Sequence, residues 1–175
     1  EMEPRGRFRS FTPEDGLGAG SVFSIIQDRN GAYWFGTHGG ASRYDGGEWR
    51  TFTTEDGLPS NNATALYEDR DGNIWVGTHG GGMAWYDGRQ WTTITKKDGL
   101  PSSVRVFRQD NEGIFWLGTR GSGVVRYDHQ AYLRWIRRLE SLHHGRRASR
   151  DIHLRDDVRS RGTTLGRRPE RRGGP

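Results

Sequence analysis

The sequence predicts an all-β fold made from successive copies of one small antiparallel sheet, and three observations predict it. Trp34-Phe35-Gly36-Thr37, Trp75-Val76-Gly77-Thr78 and Trp116-Leu117-Gly118-Thr119 recur at intervals of 41 residues. Asp15-Gly16-Leu17, Asp56-Gly57-Leu58 and Asp98-Gly99-Leu100 recur at 41 and 42, and Tyr44-Asp45, Tyr86-Asp87 and Tyr127-Asp128 at 42 and 41. Between these landmarks lie short apolar runs bounded by Gly-rich turns, which is the signature of strands. A fixed period of this kind marks an architecture of stacked repeats.

Each repeat reads as four strands. The first covers Val22–Asp28, Ala63–Asp69 and Val104–Asp110. It ends in Asp-Arg-Asn-Gly, Asp-Arg-Asp-Gly or Asp-Asn-Glu-Gly, tight turns whose Gly supplies a positive φ. The second strand is Ala32–Thr37, Asn73–Thr78 and Ile114–Thr119. A Gly-rich turn leads to a third strand ending at Tyr-Asp. The fourth starts at Trp49 or Trp91 and runs through Phe52 or Ile94. The second strand is apolar on both faces: Tyr33 and Phe35 on one, Trp34 on the other, and likewise in each copy. A sheet with one wet face alternates apolar with polar, so this one is expected to be sandwiched between neighbours. A four-stranded unit of roughly 40 to 50 residues, stacked radially, is a β-propeller blade; a flat solenoid of β units is the alternative. Three blades are expected over residues 8–135 (about 8–49, 50–91 and 92–135), a partial ring.

After Trp135 the period is lost. Tyr132, Trp135, Ile136, Leu139 and Leu142 have helical spacing, which predicts a short amphipathic helix over 130–143. Residues 136–175 form an Arg-rich tail, expected to be disordered from 145 onward because it holds few apolar residues. The tail also explains the charge. It carries 12 Arg and five acids, whereas residues 1–135 carry 15 basic and 17 acidic side chains. The net charge of +5 therefore belongs to the tail, and the body has no global field to attract nucleic acid. No apolar run approaches the roughly 18 residues that would span a bilayer as a helix. The absence of Cys removes disulfides and thiolate chemistry. No leading Met or signal peptide is visible, so a processed chain or an internal fragment is expected.

The run Asp56-Gly57-Leu58-Pro59-Ser60-Asn61-Asn62, followed by Leu66-Tyr67-Glu68-Asp69-Arg70-Asp71-Gly72-Asn73-Ile74-Trp75-Val76-Gly77-Thr78-His79-Gly80-Gly81-Gly82 and Trp85-Tyr86-Asp87-Gly88, resembles the two-component regulator propeller repeat. Such repeats form the extracytoplasmic sensor propellers of bacterial hybrid histidine kinases. The resemblance covers about Phe8 to Trp135 and implies a binding module, periplasmic or otherwise extracytoplasmic, that senses ligands such as glycans and signals to a kinase. The chain departs from the family pattern in having three repeats where a ring closes from about seven, and in lacking a membrane helix and a kinase signature.

Strand parity places the Thr-His-Gly-Gly turns and the Gly-Leu-Pro-Ser-Asn-Asn loops on one rim. His38, His79 and Arg120 occupy equivalent positions there and are the candidate ligand donors, with Asn61, Asn62, Ser102 and Ser103 adding hydrogen bonds. Arg120 in the third copy opposes a metal shared by the two histidines, so no metal and no cofactor are expected. The Asp69-to-Asn73 run lacks the following acidic ligand of a calcium loop and is explained by a hairpin turn. Conspicuous polar residues are periodic, as a scaffold makes them, whereas a nucleophile with its base would be singular. The chain is therefore expected not to be an enzyme. Its expected partners are a glycan or other small ligand, and further blades or another copy of the chain. A structural or protein-interaction propeller, or a propeller lyase, are the rival readings. A lyase needs a non-repeated His and acid facing the channel, and His129, the non-repeated histidine in the blades, falls by parity on the other rim.

Overall fold

The computed structural model describes residues 8–100 and 103–144, the side chains of 139–144 excepted. Ser102 and the stretch 145–175 lie outside these residues. Residues up to Trp135 belong to one compact unit and those from Ile136 to another.

The first unit is built from three antiparallel sheets, each an up-and-down meander. The first contains β1 (Val22–Gln27), β2 (Tyr33–Thr37), β3 (Gly40–Asp45) and β4 (Glu48–Phe52) in sequence order. The second contains β5 (Ala63–Glu68), β6 (Ile74–Thr78), β7 (Gly82–Tyr86) and β8 (Trp91–Ile94), again in order. The third has only β9 (Val104–Gln109), β10 (Phe115–Thr119) and β11 (Val124–Tyr127). The register repeats: Phe35, Val76 and Leu117 face Ser42, Ala84 and Val125. The meander is a propeller blade.

The third blade corrects the expectation of four strands in every copy. Where a fourth strand would start, the chain forms α1 (His129–His144). The sequence there has apolar residues three and four apart, and Asp128 Oδ1 accepts from Ala131 N–H at 2.8 Å as an N-cap. Tyr132 takes over the work of the missing strand's Trp. Its ring lies 6.1 Å from Tyr127, as Trp91 lies 5.0 Å from Tyr86 and Trp49 lies 4.8 Å from Tyr44.

The blades stack with one polarity. Trp34, Ala41 and Phe52 on the following face of blade 1 pack against Leu66, Ile74, Val76 and Ala84 on the preceding face of blade 2. Trp75, Met83 and Trp85 on the following face of blade 2 pack against Phe107, Phe115 and Leu117 of blade 3. A fully buried Trp removes about 150–250 Å² from water, or at most about 4–6 kcal/mol, so Trp34 and Trp75 are the largest single contributors to their interfaces. The backbones come close at one point in each interface. A Cβ at Gly36 would sit 2.9 Å from the Ala63 carbonyl oxygen, and one at Gly77 would sit 2.5 Å from that of Val104. That approach is why the third residue of Trp-x-Gly-Thr carries no side chain.

Among the described residues, only the middle blade is covered on both faces. All five residues of β6 are buried. In β2, Tyr33 is 42% exposed, and in β10 Trp116 is 44% exposed, because blade 1 lacks a neighbour before it and blade 3 lacks one after it. Trp85, where the other two copies carry Arg43 and Arg126, is buried and stacked 5.4 Å from Trp75.

The blade-to-blade loops explain the Asp-Gly-Leu triplet. Asp15, Asp56 and Asp98 accept from the backbone N–H of Thr12, Thr53 and Thr95 at 2.8, 2.9 and 2.8 Å. Gly16 and Gly57 turn the chain at φ of 116° and 114°. Leu17, Leu58 and Leu100 then drop into the core.

Candidate functional site

The rim formed by the turns after each second strand holds the predicted site residues. β5 and β6 carry Asn62 and His79 to the same end of blade 2, where His79 N–H donates to the Asn62 carbonyl at 2.9 Å. Blade 3 repeats the bond from Arg120 N–H to the Ser103 carbonyl at 3.0 Å. Ser103 also ties the two blades together, because its Oγ accepts from Gly80 N–H at 2.8 Å. The Arg120 guanidinium meets His79 Nε2 across the same seam. Arginine has donors only, so His79 Nε2 is the acceptor in this contact. His79, Arg120 and Ser103 are thus brought together, with a shallow groove of about 70 Å³ beside them lined by Gly80, Gly81, Lys96 and Ser103.

The other predicted residues stand apart. His38 is exposed one blade away and lies edge-on to Phe23 at 4.5 Å. Asn61 uses its Oδ1 to accept from Thr54 N–H at 2.7 Å, a loop-forming role. Asn62 Oδ1 is buried without a hydrogen-bond partner, the one predicted side chain with spare acceptor capacity in the seam. Ser102 lies outside the described residues. Among those residues no group of three His, Asp or Glu side chains is arranged to hold a metal ion.

The opposite rim carries interactions that the strand pattern did not announce. Asp28, Asp69 and Asp110 each use one carboxylate oxygen to close the hairpin turn and the other to accept from the Trp six residues on. The Trp Nε1–Oδ2 distances are 2.8, 2.7 and 2.8 Å for Trp34, Trp75 and Trp116. The constant spacing of Asp and Trp was the available signal. At Asp110 the Trp116 bond, with help from the Ile114 and Glu112 N–H groups, holds the carboxyl below its ordinary range. From the same turns, Arg29 reaches the next blade, bonding Glu68 Oε1 at 2.6 Å and the Asp69 carbonyl at 2.7 Å. Arg70 repeats the reach to the Asn111 carbonyl at 2.9 Å.

His129 closes the bottom of a cleft of about 180 Å³ on this rim, beside Asp71, Gln109, Asn111 and Glu112. It is buried, its Nδ1 lies 3.1 Å from Tyr127 Oη, and its ring meets Trp75 and Trp85 edge-on at 4.8 and 4.7 Å. Burial pushes its pKa down against the opposing pull of Asp69, Asp71 and Asp128. Burial likewise raises the Tyr127 phenol. His129 is packed into the core by aromatic rings, and its polar contact is a phenol rather than a carboxylate base.

Comparison with known proteins agrees with this architecture. Residues 16–39 and 57–80 match the family model described as two component regulator propeller. A stretch of 39 residues is 51% identical to Histidine kinase P4 of Formosa agariphila, covering 22% of this chain and 3% of that protein. The extracellular domain of the hybrid two component system BT3049 from B. thetaiotaomicron superposes with a TM-score of 0.54 at 22% identity, over 66% of this chain and 15% of that one. The extracellular domain of the one component system BT4673 from B. thetaiotaomicron gives a TM-score of 0.54 at 21% identity, over 73% of this chain and 20% of that one. These structural likenesses establish the propeller fold, and the chain spans a fifth or less of each protein it matches.

Proposed function

We propose that the chain, two of whose repeats match the two component regulator propeller model, is a ligand-sensing segment of a bacterial two-component receptor, working outside the cytoplasm as part of a larger propeller. The seam between blades 2 and 3 carries the reading. There His79 and Arg120 meet across the blade boundary, and Ser103 bonds both blades. A ligand hydroxyl or carboxylate bridging these groups would favour one relative placement of two blades. Binding would thereby be converted into a change of stacking, which is what a sensor has to pass on. The exposed His38 on the same rim extends the surface toward blade 1. A glycan is the ligand class favoured, because its hydroxyls suit a row of side-chain donors and acceptors.

The test is thermal unfolding of the 175-residue chain with a panel of oligosaccharides. A ligand present at about 100 times its Kd stabilises by about 2.7 kcal/mol. One member of the panel is expected to raise the midpoint, and Arg120→Ala and His79→Ala are expected to abolish that rise. If no member shifts the midpoint, or if both variants respond like the parent, the rim is not a glycan site. The exposed aromatic faces of blades 1 and 3 support a second reading, a propeller that binds other protein and no small ligand.

A further inference from the structure

The two open faces of the blade stack are complementary halves of the interface already formed twice inside the chain. The preceding face of blade 1 exposes Ile25 (58%) and Tyr33, and the following face of blade 3 exposes Trp116, Val106 (53%) and Val124, with the exposed Arg108 and Arg126 paired to Trp116 on either side. Trp116 is placed as Trp34 and Trp75 are, with its Nε1 already held by Asp110. Inside the chain those two rings lie against the next blade: Trp34 is 6.1 Å from Tyr86, and Trp75 is 4.5 Å from Phe115.

Gly118 sharpens the point. At Gly36 and Gly77 a side chain would strike a carbonyl of the next blade, that of Ala63 or Val104. At Gly118 the nearest obstacle is Val106 Cβ at 3.2 Å, in its own sheet. Among the described residues, the space over this glycine is bordered by Val106 and by no carbonyl of a following blade. The residue that stands to Ala63 and Val104 as the first of the strand is Val22, on the open face of blade 1. By the same register Val106 stands where Ser24 and Ala65 do. Ser24 Oγ accepts from Leu66 N–H at 3.2 Å, and Leu66 corresponds to Ile25.

We propose that a second copy of this chain docks head to tail, with the Trp116 face of one copy on the Tyr33 and Phe35 face of the next. Gly118 then receives the Val22 carbonyl of the second copy, and Val106 meets its Ile25. Gln109 Nε2 bonds the Gly113 carbonyl at 3.2 Å while its Oε1 accepts from Arg70 N–H at 3.3 Å in the blade before. Gln27 repeats the first of these bonds, to the Gly31 carbonyl at 3.1 Å, and offers the second to Asn111 across the new interface. Asn111 stands where Arg29 and Arg70 do, so the contact lacks the turn arginine of the two internal seams and rests on Trp116, Val106 and Val124, with the Arg108 and Arg126 stems covering the facing rings. Because the two faces differ, the association is heterologous.

Sedimentation velocity on the full chain tests this over about 1–100 μM, the range of a modest interface. The parent is expected to form dimers or larger species as concentration rises. Ile25→Glu spoils only the head face and Val106→Glu only the tail face, and each variant alone is expected to stay monomeric. Their equimolar mixture retains one head and one tail and is expected to give a dimer that grows no further. Independent of those variants, Ile25→Cys and Val106→Cys provide the sole thiols in a chain without cysteine. Mixed and oxidised, they are expected to form the 25-to-106 heterodimer in excess over either homodimer. A parent that is monomeric throughout the range, charge variants that associate alone, a mixture that stays monomeric, or cross-links dominated by homodimers overturns the proposal.

Discussion

Removing the middle carboxylate, Asp69→Ala, is expected to be among the most damaging single changes on the outer rim. Asp69 Oδ1 accepts from Asp71 N–H at 3.0 Å and Asn73 N–H at 2.8 Å, and its Oδ2 from Asn73 Nδ2 at 2.9 Å and Trp75 Nε1 at 2.7 Å. Three of the donors lie near solvent and can turn to water. Trp75 is fully buried between two blades, so its N–H loses its only described partner with no water to replace it. A hydrogen bond to a charged group is worth about 1.5–3 kcal/mol, and an orphaned buried donor costs about 1–3 kcal/mol. The loss of the turn bonds adds to this, giving about 3–5 kcal/mol against a domain stability of about 5–15 kcal/mol. Urea denaturation followed by Trp fluorescence measures it. Asp110→Ala removes the matching two turn bonds and the Trp116 bond, without a counterpart of the Asn73 side-chain amide, and water substitutes at the exposed Trp116, so its effect is expected to be clearly smaller. Equal losses for the two variants would refute the argument that burial of the ring, and not the turn, sets the cost.

Further outcomes follow from the same contacts. Gly77→Ala places a methyl 2.5 Å from the Val104 carbonyl and 3.1 Å from Phe107, so it is expected to cost about 1–3 kcal/mol in calorimetry, as overpacking does. Gly118→Ala meets only Val106 within the chain and is expected to leave monomer stability nearly unchanged. Because burial depresses the His129 pKa, the unfolded chain binds its proton more readily. The stability His129 contributes is full above its ordinary value of 6.5 and is lost as pH falls through the lower folded value. The melting midpoint is therefore expected to be flat from pH 8 to 6.5 and to fall below, and His129→Gln to flatten that fall. Arg29→Ala breaks an ion pair with Glu68 that is half open to solvent and is expected to cost about 1 kcal/mol or less by urea titration.

The repeat made the blades legible because its period is sterically enforced. Gly36 and Gly77 hold their places because a carbonyl sits against them, and Asp28 and Asp69 because a Trp N–H six residues on requires an acceptor. The same pattern misjudged blade 3. Its turn and latch persist, yet β11 is followed by helix-spaced apolar residues that satisfy Tyr127 without a strand. Trp85 is buried where the first and third copies carry the partly or largely exposed Arg43 and Arg126, because the His129 and Tyr132 rings lie 4.7 and 6.2 Å from it, and nothing in the repeat pattern signals those two partners. Of the rim residues, equivalence of position placed His38, His79 and Arg120 on one rim with Asn61, Asn62 and Ser103, without showing that His79, Arg120 and Ser103 meet at one seam. It could not separate Asn61, which is spent on Thr54, from Asn62, whose acceptor is unspent, since that depends on which way a loop turns within two residues.

Every device that joins the blades acts in one direction. The Trp ring, the Gly gap and the Arg strap belong to the blade before, and the carbonyl, the apolar face and the Glu or Gln acceptor to the blade after. A stack built from one-way contacts has two unlike ends however many blades it contains, and those ends fit each other. The rim seam is bound to the same geometry, because Ser103 Oγ bonds Gly80 only while blade 3 is seated on blade 2. Anything that grips His79 and Arg120 together therefore bears on stacking, and anything that stacks on Trp116 bears on the blade that holds Arg120. Binding at the rim and association at the faces are expected to be linked for that reason. An oligosaccharide that raises the melting midpoint should also shift the sedimentation profile of the parent chain, and should lose its effect on association in Arg120→Ala. A ligand that stabilises the chain while leaving association untouched would show that the seam and the open faces are independent.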